Sequence, residues 1–344
     1  MNMVNLQLDF YRRFNDAASR LTYSRSGMLC TLLGFPGISG ASSLTFSLSM
    51  GVTAVARRLD SGYIKLESTD SNVSVSYTLK DALTGKNKPE RELLSLIKKT
   101  GFNGAEILYD SDIAPGYDIE LPLRAAVLNS ILNILRAGDI SAADKAILCR
   151  SGKDAQLYTA LFSSKRGWCT YMNKNTISHY PLPMTGMLFL CVQIRRKPRL
   201  IKMSLLNKEL QRLKSLHPSV YTYSDITEDM LTGADYSYLP HIASENERIE
   251  RACKALKFCR MDRFADIVNE SARSDAEYLD TGNEQNFLTR IMPNIEGCLC
   301  AKASEDGVYA IAEAAIVDYV INRIKNKFEE RFGYEPQFSV ASPA

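Results

Sequence analysis

Long apolar runs are missing from this chain. No hydrophobic stretch in its 344 residues approaches the ~20 needed to cross a bilayer as a helix. The first residues carry Asp9, Arg12, Arg13 and Asp16 in place of a signal-peptide core, so a cytoplasmic location is expected. An excess of one charge is also lacking. Lys plus Arg number 42 against 39 for Asp plus Glu, a net charge of +3, which argues against a nucleic-acid or membrane-surface partner. Histidine and tryptophan are scarce, at 3 and 1. The 8 cysteines lack paired CxxC spacing, so buried reduced thiols are expected rather than disulfides or a zinc site. Cys298 and Cys300 form the one tight pair, and two ligands make a poor metal site, so no metal is expected. Internal repeats, coiled-coil heptads and low-complexity tracts are absent too, leaving an ordinary globular composition long enough for two domains.

What is present reads as mixed α and β structure. A helix is expected at 6–21, then strands at 28–33, 44–48, 53–58, 63–68 and 73–79. A helix after Pro89 carries Leu93, Leu94 and Ile97. Ser141 and Asp144 mark a helix start that runs to Cys149. The layout changes near Pro181-Leu182-Pro183, which suggests domains at 1–182 and 183–344. Beyond it come an apolar strand at 186–194 and helices at 204–216, 244–259 and 262–276, the middle one opened by a Ser244/Glu247 capping box. A last helix at 312–332 buries Ile316, Tyr319, Val320, Ile324 and Phe328, stops at Gly333 and yields to a strand at 337–340.

The most telling stretch is 111–122. An apolar strand at 105–109 leads through Pro115-Gly116 into a helix whose inner face is Leu123, Val127, Ile131 and Leu135. Strand, loop and helix N-terminus make an anion-binding geometry when free backbone N–H groups converge there. Here Asp118 and Glu120 place negative charge at that point, and Pro122 brings no N–H donor. Carboxylates stabilise a helix start by about 0.3–1 kcal/mol each but repel a polyphosphate. A self-capped structural helix is the expectation, with a nucleotide loop as the alternative.

Several segments, in order, resemble the galactokinase branch of the GHMP small-molecule kinases. Residues 224–227 (Ser-Asp-Ile-Thr) are similar to that family's "RDVT" segment and 241–248 to its "HVVTENxR" helix start. Asn269-Glu270-Ser271 followed by Tyr278 resembles the "NxSHxSLxxxY" turn, with Ala272 in place of the histidine. Residues 49–66 look like its "DxGxxVAxxxRxDxxIxL" strands, and Gly333-Tyr334-Glu335-Pro336 like its ending. The resemblance implies an α+β protein with the two-domain GHMP-kinase fold: an N-terminal α/β domain, a ferredoxin-like C-terminal domain, and an active site in the cleft between them.

The same register implies missing chemistry. The sugar-binding segment "PGRVNLIGEHTDY" falls on 26–38, where Met28 replaces the arginine and Gly34, Phe35 and Gly37 replace the Glu, His and Asp. The phosphate loop "PIGAGLSSSAA" falls on 114–124 and keeps only Gly116; its serines become Glu120, Leu121 and Pro122. The catalytic aspartate of "MDQFAS" falls near Gln156, leaving Asp154 as the only candidate base. The third motif, "GARMTGGGFGGC", falls on 298–309 and keeps Gly307 in place, with Glu305 and Asp306 beside it. The implied function is a galactokinase-like pseudoenzyme that binds, senses or regulates and needs no cofactor. A small molecule in the cleft, of unknown identity, or a protein partner fits this reading. The alternative is an active divergent small-molecule kinase using Mg-ATP, with Asp154 as base and Lys153 or Lys165 as phosphate clamp.

Individual residues carry plainer expectations. His241 reads as a hydrogen-bonded structural residue, Lys302 as a snorkelling surface lysine, and Trp168 as part of the first-domain core. The basic cluster Arg195, Arg196, Lys197, Arg199 and Lys202 reads as a solvated turn.

Overall fold

The computed structural model describes residues 3–15, 20–69, 74–78, 100, 104–135, 139–149, 155–174, 176–195, 201–233, 235–279, 281–304 and 307–342. The expected helix after Pro89 lies outside them, as does Asp154. Packing divides the chain into two units, each discontinuous in sequence: Met1–Leu29 with Ser49–Ser163, and Cys30–Leu48 with Ser164–Ala344. Packing thus groups residues 164–182 with the second half. Among the described residues no helix is long and apolar enough to cross a membrane.

The first unit begins with α1 (Met3–Phe14), shorter than the expected 6–21. It lays Leu6, Phe10 and Phe14 against Val55 and Leu108, one turn apart as an amphipathic helix requires. Strands β1 (Thr22–Gly34) and β2 (Ser43–Arg58) pass from one unit into the other. The expected separate strands at 44–48 and 53–58 are therefore one. Gly51 sits between them without breaking the strand because its missing Cβ admits the Ser26 carbonyl, which a side chain would meet at 2.2 Å. Strands β3 (Tyr63–Ser68), β4 (Ser74–Thr78) and β5 (Ala105–Ser111) complete the sheet of this unit in the order β4-β3-β5-β2. Strands β3 and β5 run parallel, whereas β4 on β3 and β5 on β2 are antiparallel.

Helix α2 (Glu120–Leu135) follows β5. Val127 and Ile131 are fully buried as expected, but so are Ala125, Ala126 and Leu128, whereas Leu135 is exposed. The helix is enclosed on most sides, so a single apolar stripe does not describe it. Helices α3 (Ala142–Cys149) and α4 (Ala155–Ser163) end the unit. The Ser141 hydroxyl accepts from the Asp144 amide at 3.1 Å, and donates to its carboxylate at 2.6 Å.

In the second unit β6 (Trp168–Asn173) and β7 (Thr176–Pro181) form a hairpin beside residues 43–45 of β2. Trp168 pairs with Pro181 in that hairpin and is 41% exposed, which corrects its expected place in a core. Strand β8 (Met187–Gln193) joins a second, four-stranded sheet. Helices α5 (Met203–Leu216), α6 (Leu239–Lys257), α7 (Met261–Tyr278) and α8 (Asn283–Ile291) intervene before strands β9 (Cys298–Ser304) and β10 (Gly307–Glu313). Helix α9 (Val317–Phe332) and strand β11 (Gln337–Ala341) close the chain. The sheet order is β11-β8-β10-β9, antiparallel throughout.

Helix α9 starts later than expected because Ala312 belongs to β10. It buries Val320, Ile324 and Phe328 but leaves Tyr319 47% exposed. Gly333 ends it in the left-handed conformation at φ 73°, as glycine does at such stops. Helix α6 begins five residues before the expected capping box. Pro240 stands in its first turn, and the Glu209 carboxylate of α5 accepts from the amides of Ser237, Tyr238 and Leu239 at 2.7, 3.0 and 3.3 Å. A carboxylate from another helix thus does the capping, with the helix dipole favouring it. Ser244 lies inside the helix and donates to the His241 carbonyl at 3.1 Å.

Candidate functional site

The loop between β5 and α2 is tied down by its own carboxylates. Asp112 accepts from the Gly51 amide and from Arg25, both at 2.6 Å. Gly116 takes φ 97° at the turn, a conformation that favours glycine. Asp118 then accepts from the Glu120 amide at 2.8 Å, so the expected self-capped helix start is what forms. Pro122 in the first turn supplies no donor. Arg124, which could offer positive charge here, is 3% exposed. Its guanidinium donates to the Cys149 carbonyl, lies 5.5 Å from the Tyr158 ring centre and stands 3.4 Å from Glu120.

The segment 26–38 forms the last part of β1 and the turn after it. Met28 and Leu33 are buried. Gly34 has φ 73°, and a Cβ there would meet the Ser42 carbonyl at 2.2 Å, so this backbone excludes any larger residue. The Gly34 amide donates to Glu245 Oε2 at 2.8 Å. Phe35 turns its ring onto His241, with centres 5.3 Å apart, and packs against the apolar cluster of Leu206, Leu210 and Leu239.

Glu245 belongs to a buried ionic network that sequence reasoning missed. Its other oxygen accepts from Ser271 at 2.6 Å and from Arg248 at 2.7 Å. Lys302 of β9 donates to Ser271 and lies 2.6 Å from Asp275. Asp275 in turn stands 3.1 Å from His241 Nε2, and His241 Nδ1 meets Ser274 Oγ at 2.7 Å. His241 is fully buried, Glu245 2% exposed and Lys302 6% exposed. Burial alone would raise the Glu245 carboxyl; the charges of Lys302, His241 and Arg248 and the Ser271 hydrogen bond outweigh it and hold it at about 2. The expectation for His241 as a hydrogen-bonded residue fits this geometry. The snorkelling surface lysine does not: Lys302 sits on β9 at a position that faces α7, and only the fold supplies Asp275 opposite it. Two sequence signals could have found the pair, the apolar neighbours of Lys302 and the spacing of Ser271 and Asp275, one turn apart on a helix.

The third candidate segment is the β9–β10 hairpin. Gly307 opens β10 with φ 152°, and a Cβ there would meet the Val192 carbonyl at 2.1 Å. Its carbonyl accepts from Gln285 at 3.0 Å. Close strand approach therefore explains this glycine. Glu305 and Asp306 lie outside the described residues. Asn269 is inside helix α7 rather than in a turn; its side chain donates to the Leu299 carbonyl at 3.0 Å and accepts from the Ala301 amide at 3.2 Å, which fastens α7 to β9. Gln156 stands in the first turn of α4. Lys165 is exposed. Of the basic cluster, Arg195 lies 4.1 Å from the Tyr334 ring centre, and 196–200 are outside the described residues. Among the described residues no group of three or more His, Cys, Asp or Glu side chains is placed to hold a metal ion.

No protein-family model matches the chain. The galactokinase of Clostridium tetani is 21% identical over 378 aligned positions, covering 98% of this chain and 95% of that protein. The galactokinase of Clostridium perfringens is 33% identical over a shorter stretch, 35% of this chain and 32% of its own length. Among solved structures, Lactococcus lactis galactokinase complexed with galactose superposes with a TM-score of 0.81 at 19% identity, over 99% of this chain and 98% of that one. Methanococcus jannaschii mevalonate kinase gives 0.62 at 12% identity, covering 95% and 99%. The fold is the α+β, two-domain fold of the GHMP small-molecule kinases. Within that group the resemblance runs to the galactokinase branch, as its motifs implied.

Proposed function

We propose that this chain is a galactokinase-like protein without ordinary kinase turnover, serving a binding, sensing or regulatory role. The observation that carries the proposal is the start of α2. Phosphoryl transfer asks a protein chiefly for positioning and for positive charge around the moving group. At the position corresponding to the phosphate loop, the Glu120 amide is taken by Asp118, a second carboxylate stands beside it, and Arg124 is committed to the Cys149 carbonyl. Gly34, in the position of a sugar-binding glutamate, has no room for a side chain, and its amide is held by Glu245. Removing one such electrostatic group costs an enzyme about 2.7–4 kcal/mol of transition-state stabilisation, and several are replaced here together.

A second reading is favoured by the full-length match to galactokinases: an active divergent kinase that uses Mg-ATP, with Asp154 as base. Thermal unfolding of the purified chain with and without millimolar Mg-ATP, Mg-ADP and galactose separates the two, combined with a coupled ADP-release assay. A ligand at 100 times its Kd adds about 2.7 kcal/mol of stability. No nucleotide-dependent shift and no ADP release are expected. Sugar-dependent ADP release that disappears in Asp154→Ala would overturn the proposal and establish the divergent kinase.

A further inference from the structure

Ser274, His241 and Asp275 stand in the relation of nucleophile, base and orienting acid. His241 lies in the first turn of α6, and Ser274 and Asp275 are neighbours on α7. Ser274 Oγ meets His241 Nδ1 at 2.7 Å, and Asp275 Oδ1 stands 3.1 Å from Nε2 on the other side of the ring. A carboxylate beside Nε2 favours the proton there, which leaves the Nδ1 lone pair to accept from the serine hydroxyl. The Nε2 contact is close without being an aligned hydrogen bond; such contacts commonly tighten once substrate is bound. Asp275 is itself held, its Oδ2 lying 2.6 Å from Lys302 Nζ. The ring is held too, stacked on Tyr278 with centres 6.0 Å apart and met edge-on by Phe35 at 5.3 Å.

His241 is fully buried, but Ser274 lines a groove of about 610 Å³ bounded by α6, α7 and the short turn of helix at Glu228–Leu231. The base is thus shielded by protein while its serine borders a space large enough for a small ligand. Arg248, Arg273 and Ser244 line the same groove and bring donors of the kind that stabilise a developing oxyanion.

We propose that Ser274 is an acylatable nucleophile with His241 as its general base, and that this site hydrolyses small carboxylic esters. The groove wall carries charges of both signs and does not choose the substrate. The nucleophile does, because a serine hydrogen-bonded to an oriented imidazole is built to attack an acyl carbon. In the first step Ser274 Oγ bonds to the ester carbonyl carbon as its proton passes to His241 Nδ1. The bond from that carbon to the alcohol oxygen then breaks, and the alcohol leaves with the proton from His241. In the second step water attacks the acyl-serine, its proton passes through His241 to Ser274 Oγ, and the carboxylic acid is released. Asp275 is a positioning residue, fixing the ring and favouring the imidazolium. The reaction is independent of phosphate transfer.

The test uses the full chain with p-nitrophenyl acetate as substrate and a fluorophosphonate as covalent probe, the labelled residue being located by peptide mass spectrometry. The phosphonyl group is expected on Ser274, and Ser274→Ala is expected to lose at least about 100-fold in kcat/KM with its circular dichroism spectrum unchanged. Asp275→Asn combined with Lys302→Met, which leaves neither charge unpaired, is expected to lower kcat at least about 10-fold with KM little changed. Labelling of a lysine, a tyrosine or Cys259 in place of Ser274 overturns the proposal, as does the absence of labelling or an ester-hydrolysis rate unchanged in Ser274→Ala. Should Ser274→Ala fail to fold, the position of the label in the natural chain decides by itself.

Discussion

Lys302→Met removes the only lysine from the buried network while keeping most of the side-chain volume. The Nζ of Lys302 lies 2.6 Å from Asp275, and the two side chains are 7% and 8% exposed. At an effective dielectric of ~20, that separation corresponds to about 6 kcal/mol of attraction, much of it offset by the cost of taking both charges out of water. The variant keeps that cost for Asp275 and removes the ammonium that faces it at 2.6 Å. Breaking a buried pair in this way costs about 3–5 kcal/mol. For a unit of this size each kcal/mol lowers the melting temperature by ~2–4 °C, so a fall on the order of 10 °C is expected. Urea unfolding followed by circular dichroism gives the free energy, and calorimetry gives the temperature. Adding Asp275→Asn to Lys302→Met is expected to restore at least ~1 kcal/mol, because the orphaned charge is then gone. A loss below ~1 kcal/mol in the single variant, or a further loss in the double one, would refute the reasoning that the pair is buried and mutually compensating.

Three other outcomes are expected. Because the folded pKa of Glu245, about 2, lies below its unfolded value near 4.5, its contribution is complete above pH ~4.5 and is lost as pH falls toward 2; on the order of 3 kcal/mol is at stake. Urea unfolding between pH 5 and 2 should therefore show a steeper fall for the natural chain than for Glu245→Gln. Gly34→Ala forces a Cβ to within 2.2 Å of the Ser42 carbonyl at φ 73°, and a loss of at least ~2 kcal/mol in urea unfolding is expected. Of the 8 free cysteines only Cys259 is exposed, and burial pushes Cys191, Cys253 and Cys300 up to about 12. A disulfide reagent should titrate one thiol rapidly in the native chain and the rest only after unfolding.

Local pattern carried much of the fold. The strand, loop and helix of 105–135 were legible because an apolar run, a Pro-Gly turn and carboxylates at a helix start each act over a few residues. The Ser141 cap and the Gly333 stop were legible for the same reason. The self-capping of α2 followed from Asp118 lying two residues before the amide it binds. Errors came where a partner far away in sequence decided the outcome. Ser244 and Glu247 have the spacing of a capping box, yet the helix begins earlier because Glu209 caps it from another helix. Trp168 reads as core and stands exposed at the start of β6, whose next residues Cys169 and Thr170 are buried, since hydrophobicity alone does not say which part of a strand is covered.

The sequence by itself determined the family resemblance and most of the element types, because these are properties of residue identity and order. Only the tertiary structure decided that Lys302, Asp275, His241 and Glu245 form one buried network. It also decided that Gly34 and Gly307 are required by carbonyls 2.2 and 2.1 Å from where a Cβ would lie. Charge compensation and close backbone approach are relations between residues distant along the chain, and no local pattern encodes the distance between them.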